Sequence, residues 1–182
     1  MRKFLVFAFL LTALVSFASA QIPTAGNVFF GYSYYNTSLS TIDRASTNGW
    51  EGSLEGKVFP FLGIVADFDG HYGSQNFAGV CPNGSACEVN ANIAAHNVLF
   101  GPRVSASVGK FRPFAEAMVG IGHASISGGP SDNSFASAIG GGLDYKIIRP
   151  IAWRFQGDYV HTHLYGIAQN NVRISTGIVL RF

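Results

Sequence analysis

Residues 171–182 read NVRISTGIVLRF, and apolar and polar side chains alternate along them to the last position. In an extended chain Val172, Ile174, Ile178, Leu180 and Phe182 share one face, while Arg173, Ser175, Gly177 and Arg181 share the other. A period of two marks a β-strand whose faces meet different surroundings. Soluble domains usually fray at their termini, yet this tail carries an aromatic ring at its end. The fold turns on which solvent that apolar face meets.

The same period recurs upstream. No stretch after Ala20 keeps a 3.6-residue apolar period over three turns, whereas strands are predicted at 26–35, 48–58, 62–73, 93–105, 111–123, 134–145, 151–162 and 170–182. WEGSLEGKV (50–58) sets Trp50, Leu54 and Val58 against Glu51, Ser53, Glu55 and Lys57. The third strand sets Ile64, Ala66, Phe68 and Tyr72 against Val65, Asp67, Asp69 and His71. The fifth sets Pro113, Ala115, Ala117, Val119 and Ile121 against Arg112, Glu116 and Gly120, and the seventh sets Ile151, Trp153, Phe155 and Tyr159 against Arg154, Gln156 and Asp158. Phe29, Leu99 and Ala138 interrupt the alternation by falling on the polar face. Brief turns follow the second, fourth and sixth strands, and longer polar stretches follow the first, third, fifth and seventh: NTSLSTIDRAST, the segment from Ser74 to Asn92, ASISGGPSDN and THLYGIAQ. Short connections on one side and long ones on the other belong to an up-and-down barrel in an outer membrane, with both termini on the short side.

The start of the chain reads as an export signal. Arg2 and Lys3 precede an apolar run from Phe4 to Phe17, and Ala18-Ser19-Ala20 supplies the small residues of a cleavage site. The expected organisation is a signal peptide at 1–20 and one barrel domain at 21–182. Cleavage takes Lys+Arg from 12 to 10 against 10 Asp+Glu, a neutral mature chain that gives no support to a nucleic-acid surface. Cys81 and Cys87, in CPNGSAC, are expected to form a local disulfide in an oxidising compartment, since the spacing of a zinc site is lacking.

A lipocalin-like soluble barrel points its apolar face inward, and a membrane barrel points it outward. Three features favour the membrane. The polar face carries charges of both signs near mid-strand, at Glu55, Asp67, Arg103, Glu116, Arg154 and Asp158; an eight-stranded lumen is just wide enough for side chains to fill, so its charges must balance. Rings on the apolar face cluster at strand ends, with Tyr34, Trp50, Tyr72, Phe135 and Tyr159 on the long side and Phe111, Tyr145, Trp153 and Phe182 on the short side. Between them lie mainly aliphatic and small residues, the arrangement of two aromatic belts at two lipid–water interfaces. Strands of this length also suit a tilted crossing, which needs about 9–11 residues.

With these residues in view, NGWEGSLEGKVFPFLGIVADFDGHYG, LFGPRVS, RPFAEAMVGIGHAS, AIGGGLDYKI, RFQGDYVHTHL and QNNVRISTGIVLRF resemble the small outer-membrane β-barrel domain family, relatives of the transmembrane domain of outer-membrane protein A. The resemblance spans nearly all of the mature chain. It implies an all-β, eight-stranded antiparallel up-and-down transmembrane barrel, with Ile174, Ile178, Leu180 and Phe182 as the signal read by the barrel-assembly machinery. The peptidoglycan-binding domain that follows the barrel in outer-membrane protein A is expected to be absent.

The inward charges Glu51, Glu55, Lys57, Asp67, Arg103, Arg112, Glu116, Arg154, Asp158 and Arg173 are expected to fill the lumen as a structural ion-pair network rather than line a pore. The five histidines (71, 96, 123, 161 and 163) fall toward the long-loop ends, where a shared metal site competes with ordinary polar strand ends. His123 and Ser125 share a strand face, and a lipid A-modifying enzyme would also need an acid, for which Asp132 is nearest in sequence. Gly140-Gly141-Gly142 lacks the lysine and helix of a phosphate loop and reads as a place of bending or close backbone approach. The expectation is a monomeric, non-catalytic component of the outer membrane of a diderm bacterium. It needs no cofactor, contacts lipid but not nucleic acid, and has a structural or surface-interaction role, with a lipid-modifying enzyme or small pore as alternatives.

Overall fold

The computed structural model describes residues 25–38, 44–80, 86–129, 131–164 and 166–182, apart from the side chains at 37, 38, 44, 45, 75–80 and 86–89. The strands are β1 (Gly26–Ser38), β2 (Arg44–Lys57), β3 (Leu62–Val80), β4 (Ala86–Ser105), β5 (Phe111–Ile126), β6 (Ser131–Lys146), β7 (Ile151–Leu164) and β8 (Ile167–Arg181). Each pairs antiparallel with its neighbour in sequence, and β1 pairs with β8 to close the barrel. Phe182 does not dangle: its amide donates to the Gly26 carbonyl at 3.1 Å, and the Gly26 amide donates back at 2.9 Å. Closure matters because an open sheet edge in hydrocarbon would leave a row of unsatisfied backbone groups.

Burial follows the two-residue period and decides the solvent question. In β7 the alternation is unbroken, with Ala152, Arg154, Gln156, Asp158, Val160 and Thr162 buried inside and Trp153, Phe155 and Tyr159 exposed outside. Rings predicted for the two belts point outward: Trp50, Tyr72, Phe135 and Tyr159 toward one end, and Phe111, Tyr145, Trp153 and Phe182 toward the other. Phe59 and Phe61, stacked at 6.2 Å in the first short turn, add to the second belt. Between the belts Leu54, Ile64, Val98, Val119, Ile139 and Ile178 are exposed. Soluble monomers rarely expose contiguous apolar patches beyond a few hundred Å², whereas here the apolar surface encircles the molecule while arginines and carboxylates are buried.

The long-side connections depart from expectation. Strand pairing runs on through much of the segment from Ser74 to Asn92, as far as Val80 opposite Ala86, so β3 and β4 reach 19 and 20 residues. THLYGIAQ does not form the expected long loop: Leu164 pairs with Ile167, and between them Gly166 takes a φ of +72° that other residues rarely adopt. Strands this long exceed what a tilted crossing needs, so these hairpins extend past the apolar band. The signal peptide and the expected Cys81–Cys87 disulfide fall outside the described residues.

Phe29, Leu99 and Ala138, the three residues that interrupt the pattern, are buried inside the barrel. Leu99 and Ala138 pack with Tyr35, Val65, Met118, Ala136 and Val160, and Phe29 packs with Ala152 and Val179. The lumen is therefore partly apolar, and its polar residues are organised around those clusters.

Candidate functional site in the lumen

All ten sequence-predicted network residues point into the lumen, with Glu51, Asp67, Arg103 and Arg173 fully buried and only Lys57 and Arg112 reaching its mouth. They separate into two groups.

The central group is built on Arg173. Register places Arg173 of β8 beside Asp158 of β7, and the narrow lumen brings it against β3 on the opposite wall, 106 residues away in sequence. Its guanidinium lies 2.6 Å from both Asp67 and Asp69, 2.8 Å from Asp158 and 3.4 Å from Glu51, so one cation faces four carboxylates. Neutral donors supply the balance. The Gln156 amide nitrogen lies within hydrogen-bonding distance of Glu51 (3.0 Å), Glu116 (2.9 Å) and Asp158 (2.9 Å) and shares its two protons among them, while the Ser175 hydroxyl donates to Glu51 and the Asn97 amide to Asp69 (2.8 Å). His71 lies 3.2 Å from Asp69 and 2.9 Å from the Ser33 hydroxyl, and its ring stacks on Tyr35 at 4.6 Å. Gly140 makes room for Asp158, since a Cβ there would fall 2.0 Å from the Asp158 carboxylate.

The second group, toward the short turns, is built on Phe114. Arg103 and Arg154 each place a guanidinium 4.6 Å from the centre of its ring, and Arg154 also lies 5.1 Å from that of Phe29. Each arginine keeps its own carboxylate partner. Arg154 grips Asp144 through two bonds of 2.7 and 3.1 Å, and Arg103 holds Glu116 at 2.5 Å and Glu55 at 3.3 Å. Below them Lys57 sits 2.6 Å from Glu55, and Arg112 bonds Ser105 at 2.9 Å. Arg181 reaches Asp144 at 3.2 Å. Charge is thus uneven along the axis, with carboxylates in excess at the centre and cations at the mouth.

Asp69, His71, Asp144, Gln156 and Arg181 belong to this network and were missing from the predicted set. For Asp69, His71, Gln156 and Arg181 the signal was present, because each occupies a lumen-facing position of the alternation already traced along its strand, while Asp144 shares the parity of Ala138 in β6. Ile174, Ile178, Leu180 and Phe182 all face outward.

The remaining sequence candidates do not converge. His123 is hydrogen-bonded to Asn133 at 2.8 Å on the outer face, while Asp132 alternates onto the side of buried Ala136 and accepts from the Asn133 amide at 2.9 Å. His96 lies edge-on to Tyr72 at 5.5 Å, and His161 bonds Asn170 at 2.8 Å. Among the described residues, no group of three or more His, Cys, Asp or Glu side chains is placed to hold a metal ion.

No family model and no curated protein matches the chain. Solved structures do share its fold. Neisserial surface protein A superposes with a TM-score of 0.66 at 12% identity, covering 87% of this chain and 99% of that one. The attachment invasion locus protein of Yersinia pestis gives 0.60 at 13% identity, covering 87% and 98%. The outer membrane protein OprG from Pseudomonas aeruginosa gives 0.55 at 9% identity, covering 88% and 97%. The fold is that of the small outer-membrane β-barrels.

Proposed function

We propose that this chain is a monomeric integral protein of the outer membrane of a diderm bacterium, its lumen closed to ions, with a structural or surface-interaction role carried by its long hairpins. One observation carries the reading: apolar side chains encircle the outside while charged ones are paired within, which suits lipid outside and no aqueous channel inside. The hairpins that extend past the apolar band offer polar surface outside the cell, and the attachment and invasion for which the Yersinia barrel is named make binding the first role to test. We assign the chain no catalysis and no cofactor. Its outward Ile174, Ile178, Leu180 and Phe182 are the residues that the assembly machinery would read.

Two measurements test the proposal. Fractionation should place the protein in the outer membrane as a heat-modifiable band, and recovery as a soluble periplasmic protein would overturn the reading. In planar bilayers the purified protein should give no steady single-channel conductance. Steady conductance would replace the closed lumen with a small pore. A change in lipid A mass between cells with and without the protein would instead favour the enzyme.

A further inference from the structure

We infer that the periplasmic rim, beneath the β6–β7 turn, holds the headgroup of an anionic phospholipid from the inner leaflet. The inference rests on the outer-membrane reading above and adds a ligand to it. A cavity of about 290 Å³ lies there, lined by Lys146, Arg149 and Arg181 together with Ile148, Ile151 and Phe182, and among the described residues no Asp or Glu side chain lines it. The backbone fixes its walls. The Arg181 amide donates to the Pro150 carbonyl at 2.9 Å, and the Lys146 amide donates to the Lys110 carbonyl at 2.8 Å. Arg181 spends one guanidinium nitrogen on Asp144 at 3.2 Å, while its Nε is buried with no acceptor among the described residues.

The occupant follows from charge and from position. Three cations facing a space without a carboxylate call for an anion, and arginine in particular suits the paired oxygens of a phosphate. Ile148 and Phe182, 59% and 60% exposed, border the cavity at the lower aromatic belt beside Trp153. A ligand with an anionic head and a hydrocarbon tail satisfies both walls, whereas a free phosphate satisfies only one. A zwitterionic lipid would bring its ammonium group against three cations, so selection should favour a headgroup with net negative charge.

The test uses Trp153 as a reporter, in a Trp50→Phe background that leaves it the only tryptophan. The protein is folded into phosphatidylcholine vesicles carrying a minor fraction of either phosphatidylglycerol or phosphatidylcholine with brominated acyl chains, which quench nearby tryptophan. Brominated phosphatidylglycerol should quench more strongly, with each cation contributing about fivefold to local enrichment. Lys146→Gln/Arg149→Gln, which leaves Arg181 in place, should cut the preference to about the fivefold of a single cation, and Lys110→Gln, on the neighbouring turn outside the cavity, should leave the preference in place. Equal quenching by the two lipids in the parent protein would overturn the assignment, as would a preference undiminished in the double variant or lost in Lys110→Gln. A preference abolished by inorganic phosphate, but not by chloride at the same ionic strength, would make the site one for soluble anions and sink the lipid. A protein that stays out of the vesicles, with no heat-modifiable band, would overturn the outer-membrane reading and this assignment with it.

Discussion

The two ends of the lumen network solve the burial of charge in opposite ways. Around Arg173 one guanidinium serves four carboxylates, and the shortfall is met by neutral donors from Gln156, Ser175 and Asn97. Around Phe114 each arginine has a carboxylate of its own and lays a face on an aromatic ring, and further cations stand in reserve at the mouth. A buried ion pair survives on its geometry and its remaining hydrogen bonds, not on its charges alone. The central group therefore depends on a single side chain, while the lower one has redundancy. That difference sets the order of the effects below.

Arg173→Met should produce the largest loss. It strands four buried carboxylates at once, and removing one partner of a buried pair already costs about 3–5 kcal/mol. Urea unfolding of the folded band in vesicles measures it. Adding Asp67→Asn and Asp158→Asn to Arg173→Met should recover part of the loss, because the damage lies in the abandoned charges. A triple variant less stable than Arg173→Met alone would break the account of the centre.

Arg154→Met should cost less, about 1–3 kcal/mol, the penalty for leaving a buried hydrogen-bonding group unsatisfied. Asp144 keeps Arg181 at 3.2 Å, and the ring of Phe114 keeps Arg103. If the same unfolding assay gave Arg154→Met a loss equal to that of Arg173→Met, the redundancy ascribed to the lower group would be wrong. Phe114→Leu comes next, since it preserves an apolar side chain but removes a ring that serves two guanidinium groups. Cation–π contacts are worth about 0.5–1 kcal/mol when exposed and about 2 kcal/mol when desolvated, so a loss of about 2 kcal/mol is expected. Pairing this variant with Arg103→Met in a double-mutant cycle should show coupling, and strict additivity would argue that the ring only fills space.

The sequence made the strands and their faces legible but not the partners across the lumen. Alternation in residues 151–162 is strong enough to read each residue's side directly, and the burial of β7 follows it without a break. Phe29 and Leu99 were harder, because an eight-stranded lumen accepts apolar side chains and local alternation carries no mark for them. That Arg173 meets Asp67 depends on the register of every intervening strand and on closure by β1, which no local pattern encodes. Asp69 and Asp144 lay within reach of the parity argument, since a lumen-facing carboxylate needs a partner wherever it sits along the strand. The extension of β3 and β4 was obscured by Gly, Ser and Asn, residues that ordinarily end strands and here continue pairing beyond the apolar band.

Lys57→Gln should give the smallest effect, and its smallness is what makes it informative. Lys57 lies 2.6 Å from Glu55 and the same distance from the Ser105 hydroxyl, as short as any contact Arg173 makes. If distance set the energy, the two substitutions would cost alike. Yet Glu55 also accepts from Asn27 at 2.7 Å and faces Arg103 at 3.3 Å and Arg112 at 3.5 Å, so it loses one partner of four. The Lys57 side chain is 12% exposed at the mouth, where water can replace what is removed. Exposed ion pairs are worth about 0–1 kcal/mol, and the loss should fall within that range and shrink as salt is raised. A loss rivalling that of Arg173→Met, or one indifferent to salt, would mean that the mouth is as dry and as dependent on single contacts as the centre, and the contrast between the two groups would collapse.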